Sequence, residues 1–385
     1  MINDVQITEL PGHSPLGASS AERWMNCPGS VSLLATLNLP ATEEPDYRIE
    51  GTAAHEAGAK CLREGLDAWE IVGEHFEGIE CDADMAEAVQ VYLDTCRPFL
   101  TLPEGKVYIE RKMSSSAHAL MFGTVDFAVA TPSLLNIVDY KHGIGVSVEV
   151  EDNPQLKYYA YLVLQEHPEV RRVVTRVVQP RAPHPDGPVR RAEYAAEDIC
   201  DWVEKELVPA MNAAQLDADF QAGKWCRFCP AKLVCPVLTG LFGAATLAGQ
   251  TPVPEMTDTD LGRTYQNVEG VKMYLKALEA ETFRRLAMGR DVDGTKLVHK
   301  KANRVWRDGA KDILQQAFGP KVFSVPELLS PAQMEKVDAQ APALVKEWAY
   351  KPESGLTVAL ATDKRVGVKP ISATEAFAHA GGLSE

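Results

Sequence analysis

The segment that most constrains this chain is GTVDFAVATPSLLNIVDYKHG, residues 123–143. Two runs of apolar and β-branched residues, Phe122 to Ala130 and Leu134 to Lys141, flank Thr131-Pro132-Ser133. Proline cannot donate to a sheet ladder and Thr-Pro-Ser is turn chemistry, so the runs read as two strands joined by a short turn. An antiparallel pair of this kind brings Asp126, early in the first strand, alongside the end of the second. Alternation puts Asp139 and Lys141 on one face there. Two carboxylates and an ammonium are expected in one small site.

The rest of the chain gives that hairpin a setting. Ser19 to Leu34 reads as one helix, with Ser19 and Glu22 at capping-box spacing. Residues 51–64 and 84–100 have helical apolar period. Lys106 to Met113 is a further β-rich run, Pro154 to Gln165 a helix, Arg171 to Gln179 a strand and Ala195 to Ala214 a helix. This order predicts an α/β (α+β) fold in which a central mixed sheet is flanked by helices. Residues 14–240 form that region. Residues 241–257, within a stretch rich in Gly, Ala and Thr, read as a linker, and 258–385 as a helical and small mixed α+β region with a possible role in DNA or partner binding.

No stretch approaches the ~20 apolar residues that span a bilayer. The start, MINDVQITELPGHSP, lacks the basic and apolar blocks of a secretory signal, so a cytoplasmic chain without a membrane partner is expected. In the reducing cytosol its eight cysteines are not expected to form disulfides. Cys61, Cys81, Cys96 and Cys200 read as small core residues. The net charge of −15 argues against a nucleic-acid partner only until its distribution is read. Residues 43–90 hold 14 acids and three bases, so the remainder is only −4. Residues 296–311 carry six bases, Lys300, Lys301, Arg304 and Arg307 among them, around Trp306 and against one acid. Such residues can neutralise phosphates and stack a base, or can form a solvated strand over a small core.

The carboxylates suit a hard divalent cation such as magnesium or manganese. A bound cation lowers the pKa of a water and polarises a phosphate, and an ammonium offsets developing charge. His55, in EGTAAHE, could add a nitrogen ligand. It is not a zinc-protease motif, because the second histidine position is Ala59. Spacing alone leaves this open: two aspartates and a lysine on strands are more often solvated edge residues, and a lone histidine is more often structural.

The ordered set resembles the RecB-like PD-(D/E)xK nucleases, whose motifs run helix-borne His, GxxD, DxK, then QxxxY. Here these are His55, Gly123-x-x-Asp126, Asp139-x-Lys141, and Gln155 with Tyr159, four apart on one helix face. The resemblance implies a restriction-endonuclease-like core, with His55, Asp126, Asp139 and the Tyr140 carbonyl holding magnesium or manganese. It implies that Lys141 assists attack and that Gln155 and Tyr159 position the strand. Glu110, in VYIERK, falls where the family often has an accessory acid.

KWCRFCPAKLVCP supplies Cys226, Cys229 and Cys235, and Cys27 is the candidate fourth ligand. AddB-type and CRISPR-associated iron–sulfur nucleases have a similar layout, one cysteine before the motifs and three after. That resemblance implies an iron–sulfur cluster, of the 4Fe–4S type, stapling the two ends. Structural zinc uses the same four thiolates and remains the alternative.

The implied function is a metal-dependent DNA exonuclease that processes ends or single strands for recombination or replication. Residues 295–370 resemble the tail of phage and prophage members of this superfamily. No Walker A pattern occurs, so a helicase motor or a single-strand annealing protein is the expected partner. A non-catalytic DNA-binding or replication-assembly protein and a zinc-stabilised interaction module are the other readings.

Overall fold

The computed structural model describes residues 14–37, 46–214 and 219–297. The chain divides into two units, Met1–Met288 and Gly289–Glu385, and every helix and strand among the described residues belongs to the first. The basic stretch lies, from residue 298 onward, outside the described residues, so Lys300, Lys301, Arg304, Trp306 and Arg307 do too.

The fold is mixed α+β. Two short helices, α1 (Ala21–Asn26) and α2 (Gly29–Thr36), precede the long α3 (Asp46–Glu64). A small hairpin, β1 (His75–Phe76) and β2 (Ile79–Glu80), leads to α4 (Ala83–Leu100). Then come β3 (Lys106–Ser114), β4 (Phe122–Ala130), β5 (Leu134–Tyr140), α5 (Pro154–Leu164), β6 (Arg172–Val178) and β7 (Val189–Ala195). Helices α6 (Ala196–Trp202) and α7 (Val208–Ala213) are joined by a π turn over Val203–Leu207, and α8 (Pro236–Ala248), α9 (Asp258–Gln266) and α10 (Val268–Ala287) follow.

The sheet order is β3-β4-β5-β6-β7, antiparallel except for the parallel pair β5–β6, which α5 connects. Strands β4 and β5 are central and buried on both faces, which is why they read as nearly continuous apolar runs. One core lies beneath α5 and α6 (Leu135, Ile137, Leu156, Val173), the other beneath α3 and α4 (Phe127, Val129, Val138, Tyr140). Among the described residues no helix is long and apolar enough to cross a membrane.

Several expectations need correction. Residues 19–34 are not one helix. The chain makes a 3-10 turn at Ala18–Ser20 and breaks between α1 and α2 at Cys27-Pro28, where proline cannot continue α1 but can open α2. The linker reading of 241–257 fails through Ala248, which is helical. Leu241 packs against α10, where a Cβ on Gly270 would sit 2.6 Å from Leu241 Cδ1. Strand β7 was not anticipated. Cys200 is exposed rather than core, whereas Cys61, Cys81 and Cys96 are buried.

The sheet is irregular at one rung. Strands β3 and β4 pair at Ile109–Phe127 and Arg111–Val125, leaving Glu110 and Asp126 out of the ladder. Pairing of β4 with β5 ends at Phe127–Val138, so the next rung would join Asp126 to Asp139. Three acids therefore share one rung across three strands. The in-out alternation slips there: Val125 and Ala128 face the same core, as do Tyr108 and Met113. Glu110 has φ 44°, a left-handed conformation that β-carbon sterics disfavour.

Candidate active site

Helix α3 carries His55 to this rung because its inner face is small. Ala54, Ala57 and Cys61 are fully buried, and a Cβ on Gly58 would lie 3.0 Å from the Tyr92 ring of α4. Tyr92 stacks on Tyr140 at 5.0 Å, and the Tyr140 ring meets His55 edge-on at 5.4 Å. The Tyr140 side chain is thus a packing hub turned into the α3–α4 core.

His55 Nδ1 lies 3.2 Å from Glu110 Oε1 and 3.5 Å from Asp126 Oδ2. Donor atoms of these three residues all fall within 4.8 Å of one another, the one such group of His, Cys, Asp or Glu among the described residues. A nitrogen and two carboxylates so gathered fit a divalent cation. Glu110, ranked as an accessory acid by its position in sequence, is a full member of the group. Burial pulls the imidazole down, but Asp126 and Glu110 outweigh it and raise His55 to about 9. The imidazolium is the counter-charge to the acids.

Asp139 is held differently. Lys141 Nζ donates to Oδ2 at 3.0 Å, and Gln155 Nε2 donates to Oδ1 at 2.8 Å. Gln155 Oε1 accepts from Lys141 Nζ at 3.0 Å, closing a triangle. Burial raises Asp139 to about 6 against the pull of Lys141, and Asp126 adds to the rise. Asp126 is also raised by burial, against His55, while its Oδ2 accepts the Tyr140 N–H at 2.9 Å. Gln155 stands in the first turn of α5, which Pro154 opens and Asn153 caps through its side-chain oxygen. One turn on, buried Tyr159 faces Gly123: a Cβ there would be 3.3 Å from Tyr159 Cε1. The glycine of GxxD makes room for the tyrosine of QxxxY. Burial, then Asp126 and Asp139, hold the Tyr159 phenol well above its usual range.

A polar brace behind the site was not anticipated. Tyr140 Oη and His142 Nδ1 are 2.8 Å apart, and His142 Nε2 lies 3.2 Å from Glu50 Oε1. Arg181 bonds both Glu50 and His142. Burial, then Arg181, lowers His142 to about 4, so it stays neutral. The brace ties α3 to the ends of β5 and β6. Its only sequence signal was the histidine of DYKHG.

The family described as "Protein of unknown function (DUF2800)" matches residues 13–366. The chain belongs to it. The matched span contains the acidic rung, Lys141, Gln155, Tyr159 and the four cysteines of the second cluster.

In this DUF2800 chain the break between α1 and α2 presents Cys27, a 3-10 turn (Lys224–Phe228) with its C-cap presents Cys226 and Cys229, and the N-cap of α8 presents Cys235. All four are buried and line one cavity. Two backbone N–H groups point at sulfur: Gln221 N to Cys27 Sγ and Gly223 N to Cys226 Sγ, each 3.4 Å. Gly223 is required there, since a Cβ would lie 2.4 Å from the Trp225 ring. Four thiolates so gathered fit an iron–sulfur cluster or one tetrahedral zinc ion.

Proposed function

We propose that this chain is a metal-dependent nuclease of the RecB-like PD-(D/E)xK type that hydrolyses DNA phosphodiester bonds, acting on ends or single strands. The observation that carries the reading is the acidic rung with its two attachments, His55 on one side and the Lys141–Gln155 pair on the other. With His55 deprotonated, as a metal ligand must be, three carboxylates against one ammonium leave a site whose chemistry asks for a cation.

His55, Glu110 and Asp126 would hold a magnesium or manganese ion, which would supply Lewis acidity toward a phosphate oxygen and lower the pKa of a water. Lys141, about a quarter exposed, presents its ammonium to a phosphate while Asp139 and Gln155 fix its direction. Charge developing on the phosphate is met by that ammonium. The N-terminus of α5, carrying Gln155, adds partial positive charge on the same side. Tyr159 shapes the floor on which the strand rests. Asp139, raised to about 6, is charged at neutral pH and keeps Lys141 in place.

The four cysteines supply the thiolate set of an iron–sulfur cluster, the reading that their layout, one before the motifs and three after, favours over structural zinc. Its role is structural, fastening residue 27 to residues 226–235 around the sheet. A place in phage recombination or replication, beside a helicase or a single-strand annealing protein, accords with an end-processing activity.

The test is cleavage of end-labelled linear and circular DNA with manganese or magnesium, using protein purified without oxygen. Linear DNA should be shortened, and Lys141→Ala should lower the rate at least ~100-fold with folding unchanged. Equal cleavage in excess chelator, or by Lys141→Ala, would reject the assignment.

A further inference from the structure

A cation withdrawn from water needs a counter-charge. Arg23, in the last turn of α1, lines the cysteine cavity. Its guanidinium donates from NH1 to Ser30 Oγ at 2.7 Å, and Ser30 lines the same cavity. Among the described residues no carboxylate pairs with it, and the acidic groups that act on it are Cys27 and Cys229. Lys232 is a second cation near the cysteines, donating to the Arg227 carbonyl at 2.7 Å, and Cys229 and Cys226 act on it in the same way. Protonated thiols are neutral and give these cations no partner. Four metal-bound thiolates are negative and give them one. The arrangement is that of an anionic centre with its counter-ions already in place.

We propose, resting on the cluster reading above, that Arg23 is the counter-cation of the cysteine-bound centre and sets how readily that centre accepts an electron. Arg23 is a positioning and charge-balancing residue. The Ser30 hydroxyl aims it, and the Cys27 N–H bonds the Arg23 carbonyl at 2.8 Å, so the two lie one helical turn apart in the cavity's lining. Reduction of the centre adds one electron from an external reductant and no proton, so its negative charge grows by one. A fixed guanidinium nearby favours the reduced form, and its loss disfavours it.

The experiment compares wild type, Arg23→Lys and Arg23→Gln, purified without oxygen. Iron and acid-labile sulfide are measured first, then the reduced fraction at fixed potentials set with dithionite and mediators and read by electron paramagnetic resonance. In Arg23→Gln the reduced-to-oxidised ratio at fixed potential should fall at least tenfold, a 59 mV shift for one electron. Arg23→Lys keeps the charge and should stay within threefold of wild type. If Arg23→Gln arrives without iron, the rate of iron loss to a chelator from Arg23→Lys decides: a wild-type rate supports the charge role, and a rapid loss overturns it. An unchanged ratio in Arg23→Gln, or equal falls in both variants, overturns the proposal and leaves the cluster reading standing. Wild-type protein without iron and sulfide overturns both.

Discussion

Glu110 should be held at a measurable cost in stability. Its φ of 44° puts a β-carbon in left-handed backbone, which costs about 1–2 kcal/mol for a residue other than glycine. Glu110→Ala and Glu110→Gly both remove the carboxylate and its contact with His55, so their difference isolates the backbone. Glycine escapes the steric cost but loses roughly 0.5–1 kcal/mol more conformational freedom on folding. The glycine variant should therefore be more stable than the alanine variant by about 0.5–1 kcal/mol. That is a rise in Tm of roughly 1–4 °C for a unit of this size. The assay is thermal and urea unfolding of both variants in chelator. Manganese should then raise the Tm of wild type, by mass action on the folded form, and raise that of both variants less. An alanine variant at least as stable as the glycine variant would refute the claim that the rung is strained. A full manganese shift in both would refute Glu110 as a metal ligand.

Three further outcomes follow from particular groups. The Thr175 hydroxyl is fully buried without a hydrogen-bond partner among the described residues, so Thr175→Val should stabilise by about 1 kcal/mol in urea unfolding, and a loss of stability would show that the hydroxyl has a partner. His55 is raised from its ordinary 6.5 to about 9, so in metal-free protein its contribution is fully present below pH 6.5 and is lost as pH rises through about 9. The urea midpoint should fall across that window in chelator and fall less in His55→Gln, and equal slopes would reject the ion pairing. Cys226→Ala should lower Tm before it alters cleavage chemistry, and an unchanged Tm would reject a structural role for the cysteine cavity.

Much of the fold was legible because its central strands are plain. Phe122–Ala130 lies between turn residues and is buried on both faces, so composition and boundary agree. The convergence of His55, Asp126, Asp139, Lys141, Gln155 and Tyr159 was legible from the motif order of the resemblance and, for Asp126, Asp139 and Lys141 alone, from the short turn that joins β4 to β5. Strand β7 was not legible. Its run VRRAEYA buries Arg190 against Gln179 and the Val148 carbonyl, so an inward-facing position carries the residue that usually marks solvent. Helix α8 was not legible either. Its glycines and threonines resemble a linker, and what holds it helical is the fit of Leu241 against Gly270 and the anchoring of its N-cap, Cys235, at the cysteine cavity.

The rank of Glu110 was hidden for a related reason. Strict alternation assigns each strand residue a face, and on that rule Glu110 is one more exposed acid on an edge strand. The slip at the rung breaks the rule in two neighbouring strands at once, and only then do three acids, each on a different strand, meet an imidazole from a helix packed on the opposite core. An unbroken sheet would send Glu110 and Asp126 to the face under α5, away from α3. Mending the ladder should therefore separate His55 from the acids even with every side chain retained. The disorder in the pairing is what allows one site to draw on both layers of the molecule.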